Sequence, residues 1–324
     1  MRVRTQLHAQ LLLLIVCCAS AFAQTPTFRS DVNLVTLTFT VRDSAGRLVG
    51  NLSQSDVEVF DDAIPQKIRF FARSTDLPLT IGLVVDASDS QSKFIRRHRG
   101  DVEKFLRDVL GPKDQAFLVC FGNHLRLVSD LTSSTAQIMD NLEAFDHSKR
   151  SFPEIGPREI REEGTAFYDA IYYAVNEKLN ITSQGHRALV VFSDGQDNSS
   201  AHHMLDAIEA AQHGDVLVYS IRYTEERRHL KARDKYGIRV MRRISRDTGA
   251  ADFDATRGDL DQTFRDIGAE LRALYEVGYH ADGLTRDNSF HKVAVKVKSE
   301  GLTARSKAGY FAGTPEADVH PDER

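Results

Sequence analysis

The spacing of apolar residues divides the 324-residue chain into three zones. Residues 24–77 read as all-β. From Val35 to Val41 apolar residues alternate with threonine, the two-residue period of a half-buried strand. Asp43-Ser44-Ala45-Gly46 has turn composition, and short strand runs follow at Leu48-Val49, Val57–Phe60 and Lys67–Phe71. Thr75–Pro78 reads as a linker. Residues 78–275 change character: continuous apolar runs at 79–86, 116–121, 188–193 and 216–222 alternate with helical periods. Leu125–Val128 suits a short antiparallel edge strand. Phe94, Val102, Phe105, Leu106 and Val109 mark one helix, and Ala170, Ile171, Ala174 and Val175 a second. Leu260, Phe264, Ile267, Leu271 and Leu274 share one face of a third, over 259–274. This pattern predicts an α/β domain: a doubly wound, mostly parallel sheet with helices on both faces. Residues 276–312 turn β-like again, with alternation in His291–Lys298 and short runs at Gly301–Arg305 and Gly309–Phe311. Residues 313–324 are polar and expected to be a disordered tail.

Neither β zone has enough strands to cover its own apolar face. The expectation is that 24–77 and 276–312 pack together as one β-sandwich domain, with the α/β domain inserted between them. Two unrelated β appendages are the alternative.

The chemistry concentrates at one strand end. The run Thr80–Val85 leads into Asp86-Ala87-Ser88-Asp89-Ser90, which delivers a carboxylate and two hydroxyls on alternate residues. In open α/β sheets ligands bind at the carboxyl ends of the strands. Hard oxygen donors in a turn suit a small divalent cation. Two further pieces lie downstream: Thr165 in Gly-Thr-Ala-Phe-Tyr-Asp-Ala, and Asp194 at the end of Ala188–Ser193. The Asp-x-Ser-x-Ser run, the Gly-Thr and the strand-Ser-Asp-Gly, in this order, resemble the metal-ion-dependent adhesion site of von Willebrand factor type A domains. The resemblance covers residues 78–275. It implies a metal held by Asp86, Ser88, Ser90, Thr165 and Asp194, the two aspartates acting through bridging waters. It also implies that a partner's Asp or Glu, as in a collagen-like ligand, completes the coordination. Mg²⁺ or Mn²⁺ fits a site with few direct carboxylates better than Ca²⁺, and a motif without thiolate or imidazole argues against zinc. The layout also resembles bacterial exported proteins with a central A-type domain and a Tyr-x-x-Gly-Tyr element after the last helix, here Tyr275–Tyr279. Integrin subunits likewise place such a domain within a β-sandwich. In integrin-like relatives the last helix moves when the metal site rearranges, so coupling through 259–274 is a further implication.

The amino terminus adds a compartment. Met1-Arg2-Val3-Arg4, the apolar run Leu11–Cys18 and Ala21-Phe22-Ala23 have the three parts of a secretory signal peptide cut after Ala23. The apolar run is too short to span a bilayer. Cleavage would remove two arginines and no acids, taking the net charge from -4 to -6. That balance argues against nucleic acid as a partner. Cys120 would then be the only cysteine left, inside an apolar strand and expected to be inert. Export without disulfides fits a bacterial periplasm or cell exterior.

These readings favour a cation-dependent binding or assembly module over an enzyme, with a protein, matrix or polysaccharide ligand that offers a carboxylate. A metal-dependent hydrolase is the alternative. Asp86 is placed like a phosphoryl acceptor, but such a site wants a second Asp two residues on, where Ser88 stands. No Gly-x-Ser-x-Gly, His-Glu-x-x-His or phosphate loop is present. A metal-free scaffold is the third reading, and the intact donor set argues against it. Around the site, Asp89 and Asp197 read as solvated turn carboxylates, and Asp169 as either a helix-end charge or a supporting hydrogen-bond acceptor. His202-His203 read as two surface histidines. The loop 147–164, with Lys149, Arg150, Arg158, Arg161, Glu154, Glu159, Glu162 and Glu163, is either a specificity element or a mobile loop without a target. Glu225–Lys235 reads as a solvated connection.

Overall fold

Alternation in Leu34–Arg42 (β1) turns Leu37, Phe39 and Val41 to one side, where all three are buried. Val57–Asp61 (β2) does the same with Val57 and Val59. Ile64–Gln66 (β3) and Ile68–Ser74 (β4) complete the first β zone. Leu79–Asp86 (β5) is buried at every position, as a strand covered on both faces requires. Ile95–Val109 (α1), Gln115–Phe121 (β6), Leu125–Thr132 (β7) and Thr135–Asp146 (α2) follow. Next come Phe167–Ala174 (α3), continued by a π-type turn Val175–Leu179, then His186–Ser193 (β8) and Met204–His213 (α4). Val216–Arg222 (β9), Ala232–Asp247 (α5), Asp252–Asp254 (β10) and Leu260–Leu271 (α6) close the α/β part. Leu274–His280 (β11), Phe290–Val297 (β12), Thr303–Ser306 (β13) and Gly309–Phe311 (β14) end the order. The structure is a computed structural model and describes residues 34–88, 91, 95–157, 164–181, 185–223, 230–281 and 289–312. The signal peptide expected over 1–23, Asp89, Ser90, and Arg158, Glu159, Arg161, Glu162 and Glu163 lie outside the described residues, as does the tail 313–324.

The central sheet has the order β10-β9-β8-β5-β6-β7, parallel except for the edge strand β7. Chain order reverses at β5, which has β6 on one side and β8 on the other. One face buries Ile81, Leu83 and Val85 under Phe105, Ile138 and Phe264 of α1, α2 and α6. The other buries Val84, Val119 and Val191 under Ile171, Ala207 and Met241 of α3, α4 and α5. Gly82 is required by this packing, because a Cβ there would come within 2.4 Å of Phe117 and 2.5 Å of Leu189. Cys120 is buried, and burial pushes its thiol pKa well up.

The flanking zones form two four-stranded sheets, β13-β1-β11-β4 and β14-β12-β2-β3. Each draws strands from both sides of the α/β part. They share one core that includes Leu37, Phe39, Val59, Tyr275, Val277 and Val293. The Tyr-x-x-Gly-Tyr element is part of β11, paired antiparallel with β1 on one edge and β4 on the other. β11 begins at Leu274, so the boundary expected after Tyr275 falls inside a strand. The stretch read as a solvated connection also ends differently: Ala232–Lys235 is the first turn of α5. That helix buries Gly237, Val240, Met241 and Ile244, and its charged first turn hid the apolar period from a sequence reading. Helices α2 and α4 were equally unmarked.

A buried carboxylate joins the two parts. Glu270 of α6 accepts from Arg42 Nη2 at the end of β1 (2.7 Å), from Tyr219 Oη of β9 (2.7 Å) and from Arg305 of β13. Its side chain is 2% exposed, against 32% for Arg42 and 30% for Arg305. Nearby, Ala308 N donates to Asp247 O (2.9 Å) and Lys307 Nζ to Gln212 O (3.0 Å). Glu270→Ala should therefore destabilise the chain by about 3 kcal/mol, the low end for a broken buried ion pair, because both guanidiniums keep part of their hydration. Urea unfolding measures this. A loss under about 0.5 kcal/mol, typical of an exposed pair, would mean that the carboxylate does not hold the parts together.

Candidate metal centre

Asp86 is the last residue of β5, and Asp194 follows the last residue of the adjacent β8. Parallel pairing with Val85 opposite Phe192 brings the two strand ends side by side. The carboxylates therefore meet at the strand reversal, where the crevice of such a sheet lies. Asp86 is fully buried and Asp194 is 7% exposed. Asp86 Oδ1 accepts from Ser88 N (3.0 Å) and Oδ2 from Ser193 Oγ (2.6 Å). Asp194 Oδ1 accepts from Gln196 N (3.0 Å) and Oδ2 from Gln91 Nε2 (2.8 Å). The turn carrying Ser88 is closed by Gln91 N donating to Ser88 O (2.9 Å). One short turn thus reaches both carboxylates.

Thr165 enters from the loop before α3. Its N–H donates to Asn198 Oδ1 (2.6 Å), and its carbonyl accepts from Asn198 N (3.1 Å). Ala166 N donates to Gly122 O (2.9 Å), and Ala87 N to Phe121 O (2.7 Å), so the loop after β6 holds both the Asp86 turn and the Thr165 loop. Of the five residues proposed from sequence, Asp86, Ser88 and Asp194 converge through these contacts, and Thr165 is tied to the same loops. Ser90 is outside the described residues.

Three supporting groups escaped the sequence reading. Ser193 was visible in the Ser-Asp-Gly run, but its bond to Asp86 depends on strand pairing. Gln91 lies one residue beyond the motif. Gly237 lies on α5, where a Cβ would meet Asp194 O at 2.3 Å, so only glycine lets the helix approach the Asp194 turn. Gly195, at φ 74°, completes that close contact. Asp197 is not a solvated turn residue: its Oδ1 accepts from Phe167 N (2.9 Å), Tyr168 N (3.4 Å) and Ser200 Oγ, satisfying the open first turn of α3. Asp169 is fully buried and accepts from Ala201 N (3.0 Å) and His202 N (2.9 Å), with His202 Nδ1 at 2.8 Å. His202 stacks on Tyr172 at 3.8 Å rather than lying on open surface, and His203 precedes α4 as its N-cap. In the loop 147–164, Leu127 N donates to Pro153 O (2.8 Å) and Ile155 N to Leu125 O (3.1 Å), which fastens that half to β7. Glu154 pairs with Arg126 at 3.0 Å.

A cavity of about 710 Å³ opens elsewhere, lined by Tyr172, His202, Glu209, Lys307 and Tyr310 among others. None of the four described donors, Asp86, Ser88, Thr165 and Asp194, lines it. Its size does not outweigh the chemistry at the strand ends.

Burial raises the Asp86 carboxyl to about 6, with the Asp194 charge adding to the rise while Ser193 and Ser88 pull it down. Burial raises Asp194 as well. Nearby His98, on α1, is lowered to about 4 by burial. Without metal, the Asp86 contribution to stability is full below pH 3.8 and is lost as pH rises through 6. The His98 contribution has the opposite sense: full above pH 6.5 and lost as pH falls through 4. The two oppose each other in one window. In chelator, Asp86→Asn should raise stability by up to about 3 kcal/mol at neutral pH and much less near pH 4. Urea unfolding of the variant and the parent at the two pH values measures it, and a pH-independent difference would remove burial as the cause.

No protein-family profile matches the sequence, and no curated protein does. Among solved structures, BatB from Bacteroides thetaiotaomicron aligns at TM-score 0.45 and 16% identity, over 60% of this chain and 97% of that one. An aerotolerance-related membrane protein from Bacteroides fragilis aligns at 0.44 and 17%, over 60% and 98%. A von Willebrand factor type A protein from Catenulispora acidiphila aligns at 0.45 and 12%, over 88% and 75%. The fold described above rests on this chain's own sheet order. No helix among the described residues is long and apolar enough to cross a membrane.

Proposed function

We propose that this chain is a divalent-cation-dependent binding or assembly module of the von Willebrand factor type A kind, in an exported bacterial protein. Asp86, Ser88, Ser90, Thr165 and Asp194 would hold Mg²⁺ or Mn²⁺. The observation that carries this reading is the pair of buried carboxylates, Asp86 and Asp194, side by side at the strand reversal. Burial penalises both charges, and a cation would relieve that penalty. The donor set is all oxygen, which suits a hard cation. When bound, the cation supplies an electrophilic position that a partner's carboxylate can occupy.

The protein's own residues do the positioning. Ser193 and Ser88 orient the Asp86 carboxylate, and Gln91 and Gln196 orient Asp194. Asn198 and Asp197 fix the Thr165 loop and the start of α3. Preorganised ligands of this kind bind with little rearrangement. The role is binding rather than catalysis, because Ser88 occupies the position where phosphoryl transfer would want a second carboxylate. The acidic side chain of a protein or matrix ligand is the group such a site would recognise.

Isothermal titration with Mg²⁺ and Mn²⁺ tests the reading, beside Asp86→Ala and Ser88→Ala. The wild-type chain should bind about one ion, and each folded variant should lose affinity by at least about tenfold. A wild-type chain that binds neither ion, or an Asp86→Ala chain that binds like wild type, would overturn it. Capture of a carboxylate-bearing partner should likewise fail in chelator.

A further inference from the structure

A second group of metal-binding side chains lies in the β-sandwich. Asp61 ends β2, Asp62 opens the turn to β3, and His291 lies on β12. One ligand atom from each falls within 4.8 Å of the others. Nδ1 is 3.0 Å from Asp62 Oδ2 and 3.6 Å from Asp61 Oδ1. Asp61 is fully buried and His291 is 3% exposed. Apart from these ion-pair approaches, Asp61 Oδ1 and His291 Nδ1 make no hydrogen bond, although both are shut off from water. A buried carboxylate oxygen and a buried imidazole nitrogen left in this state are costly.

The rest of each side chain is held so that these atoms converge. Asp61 Oδ2 accepts from Tyr279 Oη and Tyr310 Oη, both at 2.8 Å. Asp62 Oδ1 accepts from Lys292 N (2.9 Å), leaving Oδ2 to face the histidine. His291 Nε2 is 3.2 Å from Ser289 Oγ, and the ring stacks on Tyr310. Metal-bound imidazoles are usually oriented through the second ring nitrogen in this way.

The spacing fits a small ion. With metal–ligand bonds of about 2.0–2.1 Å, neighbouring donors lie about 3.3 Å apart in a tetrahedron and about 2.9 Å in an octahedron. The observed 3.0 and 3.6 Å lie either side of the tetrahedral edge, and 3.0 Å is close to the octahedral one. We propose that Asp61, Asp62 and His291 form a site for a borderline divalent transition ion, of which Zn²⁺ is the type. An imidazole beside two carboxylates selects such ions over Mg²⁺ and Ca²⁺, which prefer oxygen alone. Asp62 is 41% exposed and opens the site to solvent, so water or a partner donor fills the remaining positions. The ion would staple the β2–β3 turn to β12.

The test is independent of the centre at Asp86. Zn²⁺ is titrated into the untagged full chain carrying Asp86→Ala, in excess Mg²⁺, and the melting temperature is followed with and without Zn²⁺. The expected result is about one Zn²⁺ per chain and a Zn²⁺-dependent rise in melting temperature. Asp62→Asn and His291→Gln, each added to this background, should weaken binding by at least about tenfold and abolish the rise. Asp62→Asn is suited to fold: residue 62 has φ 46°, which asparagine tolerates, and its amide oxygen can still accept from Lys292. Absence of saturable Zn²⁺ binding in the Asp86→Ala chain would overturn the proposal, as would unchanged binding in folded Asp62→Asn. Either result would leave the three residues as an ion pair only.

Discussion

The Glu270 carboxylate is a charge in the interior, and much else follows from how it is held. Arg42 and Arg305 come from opposite ends of the chain, and Tyr219 comes from the central sheet. A buried carboxylate without partners is among the more costly arrangements a fold can contain. Each flanking β zone therefore contributes one guanidinium to the carboxylate that α6 buries. This explains how two zones, each too small to stand alone, become one layer system against the α/β part. It also bears on movement of the last helix. Phe264 and Leu271 are fully buried, and Phe264 packs edge-to-face on Phe105, so polar residues at either position would act on folding first. The carboxyl end of α6 is tied to the sandwich by Glu270, through Arg42 of β1 and Arg305 of β13.

The strand ends of the central sheet follow a different logic. Parallel pairing of β5 and β8 sets two carboxylates side by side. Burial penalises their charges while hydroxyl and amide donors aim them. Such an arrangement does not arise from packing alone, since an apolar pair there would be cheaper. The loops after β6 and before α3 are locked to the Asp86 turn by backbone hydrogen bonds. The two carboxylates thus stand at strand ends, Ser88 on the turn that follows Asp86 and Thr165 on a loop tied to it.

The two proposed cation centres differ in donor chemistry in a way that separates them. The strand-end set is all oxygen, and the sandwich set includes an imidazole. Donor type favours a hard ion at the first and a borderline ion at the second. Their supporting residues also differ: serine, glutamine and asparagine at the first, tyrosine, Ser289 and backbone at the second.

Much was legible in the sequence because it is local. Continuous apolar runs gave β5, β6, β8 and β9, since a strand covered on both faces has no polar positions to spare. The period of Leu260, Phe264, Ile267 and Leu271 gave α6, but it also took in Leu274, which begins β11. The motif Asp86-x-Ser88-x-Ser90, with Thr165 and Asp194, marked a set of oxygen donors by residue type and order. Less was legible where the period was hidden. Helix α5 opens with Ala-Arg-Asp-Lys and α4 is short, so neither shows a clean apolar stripe. The supporting residues were not legible at all. Ser193 reaches Asp86 only because β8 lies beside β5. Gly237 matters only because a helix from elsewhere in the chain crosses the Asp194 turn. Asp61 and His291 are 230 residues apart and meet only when β12 pairs with β2. The sequence by itself determined which segments are strands and helices and which residue types stand at strand ends, because periodicity and turn chemistry act over a few neighbours. The tertiary structure decided which of those polar groups are buried together and what holds them, because pairing between distant strands sets distances that local sequence does not encode.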